Sequence, residues 1–279
     1  MKHPRGFAVE PGTKLRLAAI DPSHTGRHDS RKKAEAVMQQ QIALMAKLQN
    51  RLYAAATKSL LIILQGLDAS GKDGAVRHVF SGMNPQGVKV FSFKEPTPAE
   101  LAHDFLWRVQ RCVPARGEVT IFNRSHYEDV LIARVHDLVP KPVWSKRYRQ
   151  INDFEKRLTE TGTVILKFYL HISPQEQLDR FRDRLDDPSN QWKISTSDYT
   201  EREFWPKYIR AYEKAMEKTS TEWAPWYVIP ANHKWFRNLA LSEIIAEAMQ
   251  AMDLELPAPR VDLTEIRRKY HAAVSKSDT

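Results

Sequence analysis

The chain has 279 residues, 42% apolar and 28% charged, with 43 Lys and Arg against 34 Asp and Glu for a net charge of +9. That balance describes an ordinary soluble globular chain long enough for one large α/β domain, and its positive charge favours anionic partners such as nucleotides, nucleic acid or inorganic phosphate chains. No apolar run reaches the length of a membrane span, the opening residues lack a signal-peptide core, and Cys112, the single cysteine, excludes an internal disulfide, so a cytoplasmic protein without membrane attachment is expected.

The first 28 residues, with Pro4, Pro11, Gly12, Pro22 and Gly26, read as an irregular arm. From Ser30 to about Ala56 the period turns helical, with Met38, Ile42, Met45, Leu48 and Leu52 on one stripe that calls for packing on a sheet or on a partner subunit. Short apolar runs near 59–65, 88–93, 118–123, 163–172 and 226–230 alternate with segments of helical period. Such alternation predicts a parallel sheet covered by helices on both faces, with ligands at the carboxyl ends of the strands. The last 27 residues, from Asp253, are polar with Pro257 and Pro259 and read as a wrapping or frayed tail.

The first run ends at Gln65, a glycine-bracketed loop spans Gly66 to Gly71, and Lys72 stands where a helix begins. Strand, loop and helix in that order form a phosphate cradle, because backbone N–H groups and the positive end of the helix dipole converge on an anion. An ordinary strand-to-helix turn that needs glycine for its backbone angles is the alternative. Phosphate contacts are expected from Gly66, Ala69, Ser70, Gly71, Asp73 and Gly74. Asp73 replaces the usual Ser or Thr after the lysine, and Asp68 adds a second carboxylate within the loop. Asp68 reads as a Mg²⁺ ligand or organiser of the phosphate acceptor, or else as a residue that only caps the loop backbone.

The third run ends in FNRSHYED, where Asn123 takes the place of a metal-binding acid and Arg124 points a permanent charge at the same crevice. Glu128 and Asp129 follow within a turn; either completes a metal shell or is a helix-surface carboxylate paired to a base. His126 and His171 read as packed or solvated side chains. After the second run, Lys94 and Glu95 with Pro96 and Pro98 make an acceptor loop or a rigid connector. Ser173, Pro174 and Glu176 carry helix-start signals ahead of a basic hairpin that includes Arg180, Arg184, Lys193, Arg202, Lys207, Arg210 and Lys214, read as a lid over phosphates or as a solvated face. Lys207, Arg210 and Lys214 share a helix face there.

Taken together, GLDASGKDG, FNRSHYED, DPSNQWKIS and TSTEWAPWYVIPANHKW resemble the polyphosphate kinase type 2 family, P-loop kinases that move phosphoryl groups between inorganic polyphosphate and nucleotides. The resemblance implies a single P-loop kinase-like α/β domain over 1–279 with a helical lid near 180–218 and the arm near 1–28. It implies Asp68 and Lys72 at the modified Walker A site, Arg124 on the transferred phosphate, and Arg180, Arg184 and Lys193 along a polyphosphate channel; Asn123 is counted with the catalytic residues, and Lys94, Glu95, Glu128 and Arg134 are read on the acceptor side. Mg²⁺, with Mn²⁺ as an alternative, is expected on Asp68 and Glu128. Asn123 is similar to family members that accept AMP as well as ADP, so AMP, ADP, ATP and guanine nucleotides are the expected nucleotides. The assembly implied is a homo-oligomer, a dimer or tetramer, and no nucleic acid is expected. An ATP-dependent nucleoside monophosphate kinase resembling thymidylate kinase, and a non-catalytic basic protein that binds RNA or polyphosphate, are the competing readings.

Overall fold

Every residue of β2 (Ser59–Gln65) is buried, and its alternating side chains feed two cores. Leu60, Ile62 and Leu64 point into one; Leu61 and Ile63 point into the other. That is the pattern of a parallel strand covered on both faces. The computed structural model describes residues 7–26, 28 and 30–277. In chain order its elements are β1 (Ala8–Val9), α1 (Arg31–Ala55), β2, α2 (Lys72–Val79), β3 (Val88–Ser92), α3 (Pro98–Leu101), α4 (Trp107–Gln110), β4 (Val119–Asn123), α5 (Ile132–Val135) and α6 (Lys141–Glu160). There follow β5 (Thr163–His171), α7 (Pro174–Asp186), α8 (Thr196–Glu203), α9 (Trp205–Thr219), β6 (Trp226–Pro230), α10 (Lys234–Gln250) and α11 (Leu263–Ser277).

The sheet order is β1-β6-β5-β2-β4-β3, with β2 to β6 parallel and β1 antiparallel on the edge. The chain leaves β2 for β3, returns through β4 to the side of β2, and then crosses to β5. The carboxyl ends of β2 and β4 therefore flank a crevice, which is where an open α/β sheet binds its ligand. Helices α1, α2 and α10 cover one face; α6 and α9 cover the other.

The arm departs from expectation. Ala8 and Val9 pair with Tyr227 and Trp226, and Leu17 is wholly buried with its N–H donating to Glu213 Oε1 at 2.8 Å. A two-residue strand is too short to carry a period, so Pro and Gly dominate the signal. Residues 1–6, Arg27 and Asp29 of that arm lie outside the described residues. The tail also differs: Leu263–Ser277 is a helix, exposed throughout residues 263–275. The α1 stripe is satisfied within the chain, since Ile42, Met45, Leu48 and Leu52 are buried in the same core as Ala240, Leu241 and Ile244 of α10. Ser30 caps α1, accepting from the Lys33 N–H. Among the described residues no helix is long and apolar enough to cross a membrane.

Below the crevice a charged group is sealed into the α6 face. Lys167 Nζ donates to Glu155 Oε2 at 2.6 Å, the Tyr127 hydroxyl at 2.9 Å and the Thr219 carbonyl at 2.6 Å. Tyr127 and His126 also reach Glu155 Oε1, and Lys167 and Glu155 are both wholly buried. This settles His126 as a packed side chain. His171 likewise bonds backbone, at Ile20 O. Removing one member of a buried pair strands the other, at a cost of about 3–5 kcal/mol, whereas an apolar replacement of both is close to neutral. Lys167→Met is therefore expected to lower the unfolding free energy by about 3–5 kcal/mol in urea titrations, and adding Glu155→Leu to restore most of it. Equal losses in the single and double variants would contradict this.

Candidate active site: a phosphate cradle at the carboxyl ends of the sheet

The loop after β2 turns on residues with left-handed backbone. Gly66, Ala69 and Gly71 have φ of 154°, 59° and 97°. A Cβ on Gly66 would press on Ser70 Oγ and the Leu170 carbonyl, and one on Gly71 would collide with the Arg237 guanidinium. The glycines are thus needed for close approach as much as for conformation. Lys72 opens α2 yet is only 8% exposed: Nζ folds back under the loop to the carbonyls of Gly66 at 2.7 Å and Leu67 at 3.2 Å. Burial, then the nearby Arg124 charge, lower its pKa to about 8. Among the described residues Ser70 Oγ is buried with no hydrogen-bond partner.

Across the crevice, Arg124 leaves β4 with φ 62°. Strained non-glycine backbone of this kind costs on the order of 1–3 kcal/mol and concentrates at functional sites. Its N–H donates to the Leu64 carbonyl at 3.0 Å, and Nη2 reaches Asp68 Oδ1 at 2.8 Å. The cost of its burial is outweighed by Glu128 and Asp68, which raise its pKa. Asn123 Nδ2 donates to Asp73 Oδ1 at 2.6 Å. The two departures from a conventional P-loop site are therefore complementary, since an amide and a carboxylate bond where two carboxylates would repel. Burial raises the Glu128 pKa, against the pull of Arg124 and Lys72. Asp129 is turned away to Arg147, 3.1 Å distant, and burial lifts its pKa to about 6.

The cavity here measures about 1350 Å³ and takes its walls from the loop, Asn123, Arg124, the Lys94–Glu95 turn and the segment after β5. Arg180, Arg184, Lys193, Lys94 and Glu95 all line it, as expected. Arg180, however, spends its guanidinium on the fold, donating to Ala69 O, Ala231 O, Asn232 O and Glu176. It clamps the loop to the end of β6. Arg184 stacks over Phe181 at 5.6 Å, and Lys193 bonds Asn190 beside Trp192 at the exposed tip. Gln177 and Arg202 tie α7 and α8 to the loop, Gln177 Nε2 donating to Asp68 O at 2.9 Å and Arg202 to Gln177 Oε1 at 2.7 Å.

Two expectations fail. Arg134 is not beside the acceptor turn: it lies over Trp144 at 4.8 Å and lines a different cavity. Arg210 and Lys214 line that cavity too, and Lys207 packs over Phe204, so the shared face of α9 does not look onto the loop. Helical period showed that the cations align but not which way the helix is rolled. The residues of α9 that turn inward include Tyr208, bonded to Glu201, and Tyr212, whose hydroxyl donates to Gln65 Oε1 at 3.3 Å.

One further cation was not anticipated. Arg237, in the first turn of α10, is 2% exposed and faces Gly71 and Gly74 from behind. Its side-chain hydrogen bonds go to Asn238 Oδ1, and no carboxylate lies within ion-pair distance among the described residues. Burial and then the Arg180 charge lower its pKa to about 9. Two buried guanidinium groups thus lie at the positive end of α2, Arg180 paired with Glu176 and Arg237 without a carboxylate among the described residues, an arrangement that attracts an anion. Within the run WFRNLALSEIIAEAM, which also holds Glu243 and Glu247, no local signal sets Arg237 apart.

Among the described residues no three His, Cys, Asp or Glu side chains converge on a common metal position. Magnesium needs only one or two carboxylates when phosphates and water complete its shell; Asp68 lines the cavity, whereas Glu128 lies near Arg124 and Lys72 without lining it. Because an anion favours the protonated lysine, ligand binding above pH 8 should take up a proton and weaken as pH rises through about 8. Titration calorimetry with triphosphate in buffers of different ionisation heat reads this directly. Buffer-independent heats at pH 8.5 would contradict it.

A profile of the family Polyphosphate kinase 2 (PPK2) matches residues 27–257. An AMP/ADP-polyphosphate phosphotransferase of Meiothermus ruber is 48% identical over 257 residues, covering 91% of this chain and 95% of its own. An ADP-polyphosphate phosphotransferase of Rhodopseudomonas palustris is 42% identical, covering 94% and 96%. The crystal structure of polyphosphate kinase 2 from Arthrobacter aurescens TC1 superposes with a TM-score of 0.92 at 45% identity over 95% of each chain. A sheet with this strand order and a loop, lysine and arginine at its crevice, matched at that depth along nearly the whole chain, leave one assignment: the chain belongs to the polyphosphate kinase 2 family.

Proposed function

We propose that this chain is a polyphosphate-dependent nucleotide kinase that moves phosphoryl groups between inorganic polyphosphate and AMP or ADP, forming ADP or ATP, with guanine nucleotides as further acceptors. The observation that carries this reading is the concentration of positive charge at one loop: buried Lys72, Arg180 and Arg237, with the more exposed Arg124, around the start of α2. A site so arranged suits two polyanions brought end to end. Relatives named as phosphotransferases between polyphosphate and AMP or ADP support the same substrates.

A nucleotide's terminal phosphate oxygen is already ionised near neutral pH, its second pKa being about 6, so no general base is required. That oxygen attacks the terminal phosphorus of the chain, the P–O–P bond behind it breaks, and the polyphosphate leaves one phosphate shorter. Lys72 and Arg237 hold the donor from beneath and behind, while Arg124 bridges to the acceptor. Positioning and charge neutralisation carry the rate. Asp68, with Glu128 nearby, would hold Mg²⁺ or Mn²⁺, which would supply charge neutralisation between the two chains. Helices α7 to α9 act as a cover, linked to the loop through Arg202, Gln177 and Asp68 O. The helix Leu263–Ser277, with Leu263, Ile266 and Tyr270 exposed at helical spacing, supports a homo-oligomer.

The direct test is a matrix of donors, long-chain polyphosphate or ATP, against AMP, ADP, GMP and GDP. ATP formed from ADP and polyphosphate is the expected result. ATP as the sole effective donor would favour a thymidylate kinase-like enzyme, and salt-sensitive polyphosphate binding without turnover a binding protein. Lys72→Ala should reduce kcat by at least about a hundredfold with the fold intact by circular dichroism. Unchanged turnover would refute its role. Arg237→Met should raise KM for polyphosphate by about tenfold or more, since a hydrogen bond to a charged group is worth roughly 1.5–3 kcal/mol, and leave KM for nucleotide unaltered. Its melting temperature should hold or rise, because an unpaired buried cation has been removed.

A further inference from the structure

A second cavity, of about 700 Å³, opens on the outer side of α6 and α9 against the arm residues Lys14–Arg16. It shares no lining residue with the phosphate cavity. Eight cationic side chains line it against two carboxylates, Glu213 and Glu217, a surplus of six in a chain whose net charge is +9. The carboxylates are engaged. Glu213 accepts from the Leu17 N–H, and Glu217 pairs with Lys214 at 2.7 Å and Lys218 at 3.7 Å. Arg210 and Lys141 have no carboxylate within ion-pair distance among the described residues, and Arg149 has only a 3.9 Å contact with Asp153.

The cations are spaced in register with the helices. Arg210, Lys214 and Lys218 recur every four residues on α9, and Lys141 and Arg149 stand eight apart on α6. At 1.5 Å per residue each stripe is about 12 Å long with charge repeating roughly every 6 Å on α9. Two such stripes facing across a groove match a linear, regularly charged polyanion. They do not match a nucleobase, because Trp144, the large aromatic of the wall, already has Arg134 over its ring at 4.8 Å and Tyr148 against it. The concave wall disfavours a flat lipid surface, and its surplus of cations disfavours an apolar subunit contact.

We propose that this groove is an accessory binding site for inorganic polyphosphate, gripping a stretch of chain away from the phosphate loop. The inference rests on the proposed function for the identity of the polyanion. Its consequence is a donor affinity that grows with chain length beyond what the catalytic cavity can contact, and that falls steeply with salt through release of counterions. None of the four residues chosen to test it lines the catalytic cavity.

The test compares the full chain with the variant Lys141→Gln, Arg149→Gln, Arg210→Gln, Lys218→Gln. Binding of long-chain polyphosphate is measured with saturating tripolyphosphate present to fill the cradle, and turnover is measured with long and short donors. The variant should bind the long chain about tenfold or more weakly, with a shallower salt dependence, and keep kcat and KM for ADP and the short donor. Arg210→Gln alone should give a smaller weakening of the same sense, which separates the effect from misfolding. Long-chain affinity that is unchanged, an equal loss with the short donor, or ADP competing at the groove would overturn the proposal. So would a change in sedimentation mass, which would make the groove a subunit contact. Absence of phosphoryl transfer by the unaltered chain would sink the proposed function instead, while the binding comparison, which needs no turnover, still reads the groove.

Discussion

Lys72 is held under the phosphate loop by the carbonyls of Gly66 and Leu67, and the shape of the site follows from that latch. A buried ammonium on backbone oxygens is stable enough to fold around and weakly enough neutralised to be drawn away by a phosphate. The loop can close over it only with glycine at 66 and 71, because Ser70 and Leu170 occupy one approach and Arg237 the other. Strand β2, buried on both faces between β4 and β5, supplies the rigid base from which the loop springs.

Around the latch, each charge has a different assignment. Arg180 is committed to carbonyls of the loop and of the turn after β6, so it holds geometry. Arg237 has no carboxylate partner among the described residues and retains its attraction for an anion. Arg124 is on loan to Asp68 at 2.8 Å, a contact exposed enough to exchange for phosphate oxygen. Asn123 and Asp73 bond each other. An acid at 123 would repel Asp73 unless a cation or proton intervened, so the amide fits a site that tolerates a shorter, less charged acceptor.

Most of this was legible in the residues. The five parallel strands announced themselves as apolar runs, and the phosphate loop, Asn123 and Arg124 fell at strand ends where a parallel sheet places ligands. Most illegible features share a physical cause: they depend on long-range packing. Ala8–Val9 forms a strand only because β6 offers an edge, and Leu17 is buried only because α9 lies beneath it. The roll of α9 sends Arg210 and Lys214 outward, and the stacking of Arg134 on Trp144 takes it from the acceptor side. Arg237 lies 165 residues from Lys72, and nothing local shows that α10 aims it at the loop. The helix at Leu263–Ser277 was masked by the prolines before it.

The most direct measurement is a crystal structure with tripolyphosphate bound. The account predicts phosphate oxygens within hydrogen-bond distance of Lys72 Nζ and the Arg237 guanidinium, with Nζ released from the Gly66 and Leu67 carbonyls. Tripolyphosphate seated elsewhere, with that latch still closed and Arg237 still bonded only to Asn238, would contradict it.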